Sequence, residues 1–304
     1  MPKVSALMPV YNTNLTYLKE TIESVLNQTF IDFEFLILND SPQNLELENF
    51  ILEYAKKDKR IRYFKNPQNL GISPSRNKLI DLAQGEFLAV IDHDDISVKE
   101  RFEKEVAFLE ANGKVGVVSG NAYKLKNSKE WHPFKTRLDI KICLMVQMCL
   151  IHPASMIRKS VLGNIRYNTL YSPCEDYKLW CDLINKTEFA NLDEVMIQYR
   201  DYENTSARNS ILMDRISGII VSENQKSHPE LFNIALHLSS EITRIRFLGV
   251  PFLKIVKTYN EKQYFLFHKI PILKIRTQTY SRITYHKYQI IFIFYSTTIY
   301  LSKF

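Results

Sequence analysis

The sequence predicts an α/β fold in which a mostly parallel sheet is covered by helices, and three observations carry that reading. Short apolar runs alternate with amphipathic stretches over the first hundred residues, the signature of strands joined by crossover helices. Three of those runs end in polar turns, at Pro9 to Asn12, Asn39 to Ser41 and Asp92 to Asp95. In such a sheet the carboxyl ends of the strands share one edge, and ligands bind in the crevice there.

The elements follow in order. Val4 to Met8 reads as the first strand. Leu15, Leu18, Ile22, Val25 and Leu26 recur at helical spacing, which predicts a helix over 15–27 with one core-facing stripe. Phe33 to Leu38 is the second strand, closed by the polar turn Asn39-Asp40-Ser41-Pro42. A helix over 43–56 and a short strand near Ile61 to Phe64 come next. Asn69-Leu70-Gly71-Ile72 leads to Ser73 as N-cap and Pro74 at the first position of a helix ending at Gly85. Phe87-Leu88-Ala89-Val90-Ile91 is then an apolar strand that runs directly into Asp92-His93-Asp94-Asp95.

Three carboxylates within four residues have no place in a packed core, and clustered hard oxygens suit Mg²⁺ or Mn²⁺ together with a phosphate. The competing reading is an acidic turn that caps the next helix. Ser97-Val98-Lys99-Glu100 fits a capping box, with Ser97 as N-cap and Glu100 reaching back, which leaves the aspartates spare. No G-x-G-x-x-G follows any strand and no G-x-x-x-x-G-K-[ST] occurs, so neither a Rossmann dinucleotide site nor a P-loop is expected.

The four cysteines, Cys143, Cys149, Cys174 and Cys181, lack C-x-x-C pairs and suggest neither zinc nor a disulfide framework, which points to a reduced cytosolic setting. The first nine residues hold one lysine and no long apolar run before a cleavage site, so no secretion signal is expected. Charge is uneven: residues 241 to 304 carry 11 Lys/Arg against 2 Asp/Glu, which makes this tail the source of the basic balance.

Pro9-Val10-Tyr11-Asn12, Ser24-Val25-Leu26-Asn27-Gln28-Thr29-Phe30, Asn39-Asp40-Ser41, Asn69-Leu70-Gly71, Arg76-Asn77 and Asp92-His93-Asp94-Asp95 together resemble glycosyltransferase family 2, over about residues 3 to 205. That resemblance implies a GT-A fold, a nucleotide-sugar donor, inversion at the anomeric carbon, and Mn²⁺ or Mg²⁺ as cofactor. It implies that Pro9 and Tyr11 lie against the nucleotide, that Asp40 holds the base or ribose, and that Arg76 and His93 belong to the nucleotide-sugar pocket. Asp92 would contact the ribose or help hold the metal, Asp94 would be the metal ligand on the diphosphate, and Asp95 would stand behind them. Taken singly, Asp40 reads as a turn former and Arg76 as a helix-surface charge.

Pro173-Cys174-Glu175-Asp176-Tyr177-Lys178-Leu179-Trp180 resembles the E-D motif of the same family, with Asp176 as general base and Glu175 beside it. An acceptor hydroxyl is a poor nucleophile at neutral pH, so a carboxylate must take its proton. Alone, the pair would be ordinary acidic residues in a helix's first turn. Trp180 either packs behind the site or stacks on a sugar. Ile151 to Arg158 resembles the strand before the acceptor loop, and His152 reads as a histidine hydrogen-bonded in place. Tyr202 stands where the family often has a histidine, Asn39 replaces the first acid of D-D-x-S, and Arg200 is expected to approach phosphate.

The expected organisation is a catalytic domain over 1–215, with its nucleotide-sugar half over 1–120 and its acceptor half over 121–215, followed by a helical basic extension over 216–304. The tail interleaves 14 aromatics with its cations and carries a loose repeat, Pro251-Phe252-Leu253-Lys254-Ile255 and Pro271-Ile272-Leu273-Lys274-Ile275. The repeat weakly resembles tails of bacterial lipopolysaccharide and lipooligosaccharide glycosyltransferases. The apolar stretch Tyr288 to Leu301 falls short of a bilayer span. Peripheral contact with an anionic membrane at its cytoplasmic face is one expectation, and a basic cap packed on the domain is the other; no nucleic-acid motif is present. The implied reaction carries a hexose or N-acetylhexosamine from a UDP-sugar to a lipid-linked glycan. Its rivals are a silent nucleotide- or glycan-binding adaptor and a sugar-nucleotide pyrophosphorylase, whose glycine-rich opening loop is missing here.

Overall fold

A computed structural model describes residues 1–131, 137–200 and 210–238, and in the C-terminal region 241–247, 250–258, 261–266, 270–276, 288–291 and 300–303. The chain divides into two compact units, Met1–Ala235 and Leu236–Phe304.

In the first unit β1 (Val4–Val10), β2 (Phe33–Asn39), β3 (Ile61–Lys65) and β4 (Phe87–Val90) form the parallel half of a nine-stranded sheet, in the order β3-β2-β1-β4. The register pairs Val10 with Asn39 and Leu7 with Val90, so the polar turns after these strands share one edge, as the sequence predicts. The other half is mixed. β5 (Ile96–Ser97), β6 (Val115–Lys124), β7 (Lys129–Trp131), β8 (Met156–Arg158) and β9 (Glu188–Tyr199) continue the order as β8-β6-β9-β5, with β7 on β6. β8 runs antiparallel to both β4 and β6 and so welds the halves together.

Helices cover the sheet because strands buried on both faces need apolar partners on both. Val4, Ala6 and Met8 of β1 and Phe35 and Ile37 of β2 pack in one cluster with Leu18 and Ile22 of α1 (Leu15–Leu26), Leu47 and Ile51 of α2 (Leu45–Lys57), and Phe102 and Val106 of α4 (Arg101–Ala111). Their alternates, Leu7, Leu36 and Leu38, are buried on the face toward α3 (Ile72–Leu82). The acceptor-side half adds α5 (Arg137–Leu144), α6 (Lys159–Leu162), α7 (Glu175–Leu183), α8 (Ser210–Ser227) and α9 (Pro229–Leu238). All four cysteines are buried and free.

Three local expectations are corrected. Helix α3 starts at Ile72, with Gly71 at its cap in the left-handed region (φ 88°), not at Ser73. The reason is that Asp40 accepts the amides of Leu70 and Gly71 at 2.9 and 2.8 Å and so ends the loop earlier. The capping box at Ser97 does not form. Ser97 belongs to β5, and the Phe102 amide is taken by Gln28 Oε1 at 2.9 Å. The strand expected over 151–158 is confined to Met156–Arg158, because Pro153 sits in a 3-10 turn, His152–Ala154.

The second unit departs from the expected helical extension. Among the described residues the last helix ends at Leu238, and β10 (Glu241–Phe247), β11 (Val250–Thr258), β12 (Glu261–Leu266) and β13 (Ile270–Arg276) form an antiparallel sheet in sequence order, with a separate pair, β14 (Tyr288–Ile291) and β15 (Tyr300–Lys303). Dense β-branched and aromatic residues, with Pro251 and Pro271 inside the runs, disfavour helix and favour strand. Most of the apolar stretch 288–301 lies outside the described residues, as does Tyr202. No helix among the described residues is long and apolar enough to cross a membrane.

Candidate active site

Beyond β4 the chain leaves the sheet at Ile91, whose amide donates to Leu7 O at 3.0 Å, and enters the acidic loop. The root of that loop is fixed by Arg101, which is completely buried. Its guanidinium donates to Val90 O at 3.1 Å, Ser155 O at 3.2 Å, Ser97 Oγ at 3.2 Å and Glu105 at 3.2 Å. The far side is held by Arg200, whose amide donates to Asp95 Oδ1 at 2.9 Å and whose Nε donates to Asp94 O at 2.7 Å. The Arg200 guanidinium also pairs with Glu20 and lies 4.2 Å from the Tyr17 ring centroid, so it braces the loop against α1.

The loop opens on a cavity of about 600 Å³ at the carboxyl edge of the sheet. Of the residues singled out in the sequence, Pro9, Tyr11, Arg76, Asp92, His93, Asp94 and Glu175 line it, and so does Arg200. Asp40 and Asp176 are not in the lining. Asp40 is buried and accepts Asn66 Nδ2 at 2.7 Å as well as the two loop amides, so in this structure its carboxylate shapes the 66–71 turn.

Arg76, on α3, lies between the two acidic motifs. Its Nη2 donates to Asp92 Oδ1 at 2.9 Å and its Nη1 to Glu175 Oε1 at 3.0 Å, across 99 residues of sequence in the second case. Burial pushes the Asp92 carboxyl up, but the Arg76 charge and the two neighbouring imidazoles outweigh it, and the net shift is downward. Asp176 sits in the first turn of α7, where its Oδ1 accepts the Tyr177 amide at 2.7 Å. Burial, reinforced by the adjacent Glu175 carboxylate, pushes it up to about 7, against a smaller opposing pull from Arg76.

Behind this array His152 is buried, and its Nε2 is 2.8 Å from the Tyr167 hydroxyl. Burial and the Arg76 charge hold its imidazole well below the ordinary histidine range, so it is neutral at pH 7 and acts as a structural hydrogen-bond partner, as the sequence suggested. Trp180 is fully buried with its ring centroid 5.7 Å from that of His152, which selects packing over sugar stacking. Sequence reading missed Tyr167, Asn77, Arg101 and Glu20, whose roles depend on contacts across 54 to 180 residues. Only Asn77 carried a signal, beside Arg76 in the quoted motif.

Among the described residues no group of three or more His, Cys, Asp or Glu side chains is arranged to hold a metal ion. Asp92 and Asp94 of the acidic loop would hold a divalent cation, with phosphate oxygens and water completing its shell, a pattern typical of Mg²⁺ at phosphate sites. The donor set fits such an ion.

Residues 5–166 match the model described as "Glycosyl transferase family 2". The chain belongs to glycosyltransferase family 2. An uncharacterized glycosyltransferase of Methanocaldococcus jannaschii is 36% identical over 205 residues, covering 66% of this chain and 71% of that protein. The O-antigen biosynthesis glycosyltransferase WbnJ of Escherichia coli is 26% identical over 214 residues, covering 68% and 83%. The fold of this family 2 glycosyltransferase is the GT-A type, as two solved structures show. Staphylococcus aureus TarS in complex with UDP-GlcNAc superposes with a TM-score of 0.61 at 19% identity, over 78% of this chain and 72% of that one. The mannosyltransferase PcManGT of Pyrobaculum calidifontis, in complex with GDP-Man and Mn²⁺, gives 0.61 at 14% identity, over 78% and 68%.

Proposed function

We propose that this glycosyltransferase moves a hexose or N-acetylhexosamine from a UDP-sugar to a lipid-linked glycan acceptor of the cell surface, with inversion, and with Asp176 as the proton acceptor. The observation that carries the reading is the Asp92–Arg76–Glu175 chain of ion pairs, which joins the acidic loop to the start of α7 beside one cavity. The donor would lie along the carboxyl edge of β1 and β4, with Pro9, Tyr11 and His93 against the nucleotide and sugar. A bound Mn²⁺ or Mg²⁺, held by Asp92 and Asp94, would neutralise the charge gathering on the departing diphosphate. Asp176 takes the proton of the attacking hydroxyl, which approaches the anomeric carbon from the face opposite the diphosphate, so a single displacement inverts that centre.

Complexes of TarS with UDP-GlcNAc and of PcManGT with GDP-Man and Mn²⁺ support a nucleotide-sugar donor and a divalent cation. Likeness to an O-antigen enzyme supports a surface-glycan product. The cationic, aromatic-rich residues 241–304 support peripheral attachment to an anionic leaflet, on its cytoplasmic side, where a lipid-linked acceptor would be presented.

The test is nucleotide release from UDP-, GDP- and CMP-sugars with mixed glycolipid acceptors, in Mn²⁺ and then in excess chelator, for the parent and for Asp176→Asn. The expected result is metal-dependent, acceptor-stimulated release from a UDP-sugar, with Asp176→Asn slower by about 10²–10⁴-fold while calorimetry still detects UDP binding. Full turnover by Asp176→Asn would sink the base assignment.

A further inference from the structure

Arg76, expected in the nucleotide-sugar pocket, lines the cavity and also bridges its two acidic motifs. Its side chain is 10% exposed and that of Glu175 8%, so the Nη1 to Oε1 pair is almost wholly removed from water. The guanidinium carbon lies 5.4 Å from the Tyr167 ring centroid. Tyr167 is itself fixed: Asn77 Nδ2 donates to its carbonyl and its amide donates to Asn77 Oδ1, both at 2.8 Å, and its hydroxyl meets His152 at 2.8 Å. Consecutive residues of α3 thus clamp the carboxylates on one side and the chain leading to α7 on the other.

We infer that Arg76 is a positioning residue for the proton-accepting carboxylate: by holding Glu175 through one terminal nitrogen and Asp92 through the other, it fixes the first turn of α7 against the acidic loop and so sets where Asp176 stands relative to the donor. The inference rests on Asp176 being the base. It gives Glu175 a defined part, as the handle by which α7 is held.

Replacing a fork that spans two carboxylates cannot be conservative, because an ammonium reaches one of them as a point charge. The electrostatics supply a second signature. The groups facing Asp176 are Glu175 on α7, Cys174 at the cap of α7, Arg76 on α3, Asp92 on the acidic loop and Tyr167 before α7. Arg76 is the cation among them that pulls Asp176 down, so its removal must move Asp176 further up, whereas a lysine keeps the charge.

The experiment uses the full chain as Arg76→Met and Arg76→Lys, with UDP release against pH for catalysis and calorimetry with UDP and Mn²⁺ for binding. Arg76→Met should lose about a hundredfold in kcat, lose much less in UDP affinity than in turnover, and show the acid limb of its profile at higher pH than the parent. Arg76→Lys should lose about tenfold in kcat with the limb near its parental position. Equal losses in UDP affinity and turnover with an unmoved limb would make Arg76 a nucleotide contact and overturn the inference. Should Arg76→Met fail to fold, full activity of Arg76→Lys would overturn it as well. Failure of the underlying reading is distinguishable, because it appears as an active Asp176→Asn.

Discussion

Glu175 and Asp176 are neighbours in sequence but are held by different partners. Glu175 is tied to Arg76, and Asp176 accepts one backbone amide while burial and the Glu175 charge push it up to about 7. A base must be unprotonated, so the sign is fixed: kcat/KM for the acceptor should rise with pH through about 7 and level off above it, with the free-enzyme carboxyl reporting in that quantity. A profile flat from pH 5.5 to 8.5 would show that Asp176 does not limit the reaction. The residues legible in sequence were those on strand ends and helix starts, where a polar side chain has no packing reason to be present. Tyr167 and His152 were not legible as a pair, because they stand fifteen positions apart with β8 and α6 between them, and only the fold brings their polar atoms to 2.8 Å.

At the scale of elements, the acidic loop depends on a cation that never reaches it. Arg101 lies in the first turn of α4 and grips the carbonyls at the end of β4 and before β8, while Glu105, one turn on, is pushed by burial up to about 7 and pairs with it. Removing one member of a buried pair leaves the other uncompensated, so Arg101→Met should cost about 3–5 kcal/mol in urea unfolding. An unchanged midpoint would show that the clamp adds nothing to stability. Element types were readable from apolar periodicity through Leu82, and boundaries were misread wherever a distant side chain did the capping. Gln28 serves α4 across 74 residues, and Asp40 serves the loop before α3 across 31, so no local tetrad could reveal either. The tail was misread for a different reason: its alternation of aromatic, β-branched and basic residues fits a strand as well as one face of a helix.

At the scale of the whole molecule, the charge of the tail and the chemistry of the catalytic unit are separable properties. Basic residues near an anionic leaflet contribute about 1 kcal/mol each. The full chain carrying Lys254→Gln, Lys257→Gln, Lys262→Gln and Lys274→Gln should therefore lose most of its cosedimentation with phosphatidylserine vesicles while its donor turnover on a soluble acceptor stays at the parental rate. Undiminished sedimentation would rule out electrostatic attachment through these lysines. The parallel half of the sheet, β1 to β4, and its polar edge were legible because strand, helix and turn signals alternate regularly there, whereas β5, β6, β7 and β9 of the mixed half carried no such signal.

The tail's sequence repeat coincides with a structural one. Pro251 opposes Arg246 and Pro271 opposes Phe265, each where the partner strand shifts register, and each stands near the start of the second strand of a hairpin, β10-β11 or β12-β13. A sheet assembled this way grows by whole hairpins, each adding about 10 Å at the usual strand spacing. Its width is therefore set in steps of one repeat, two strands at a time.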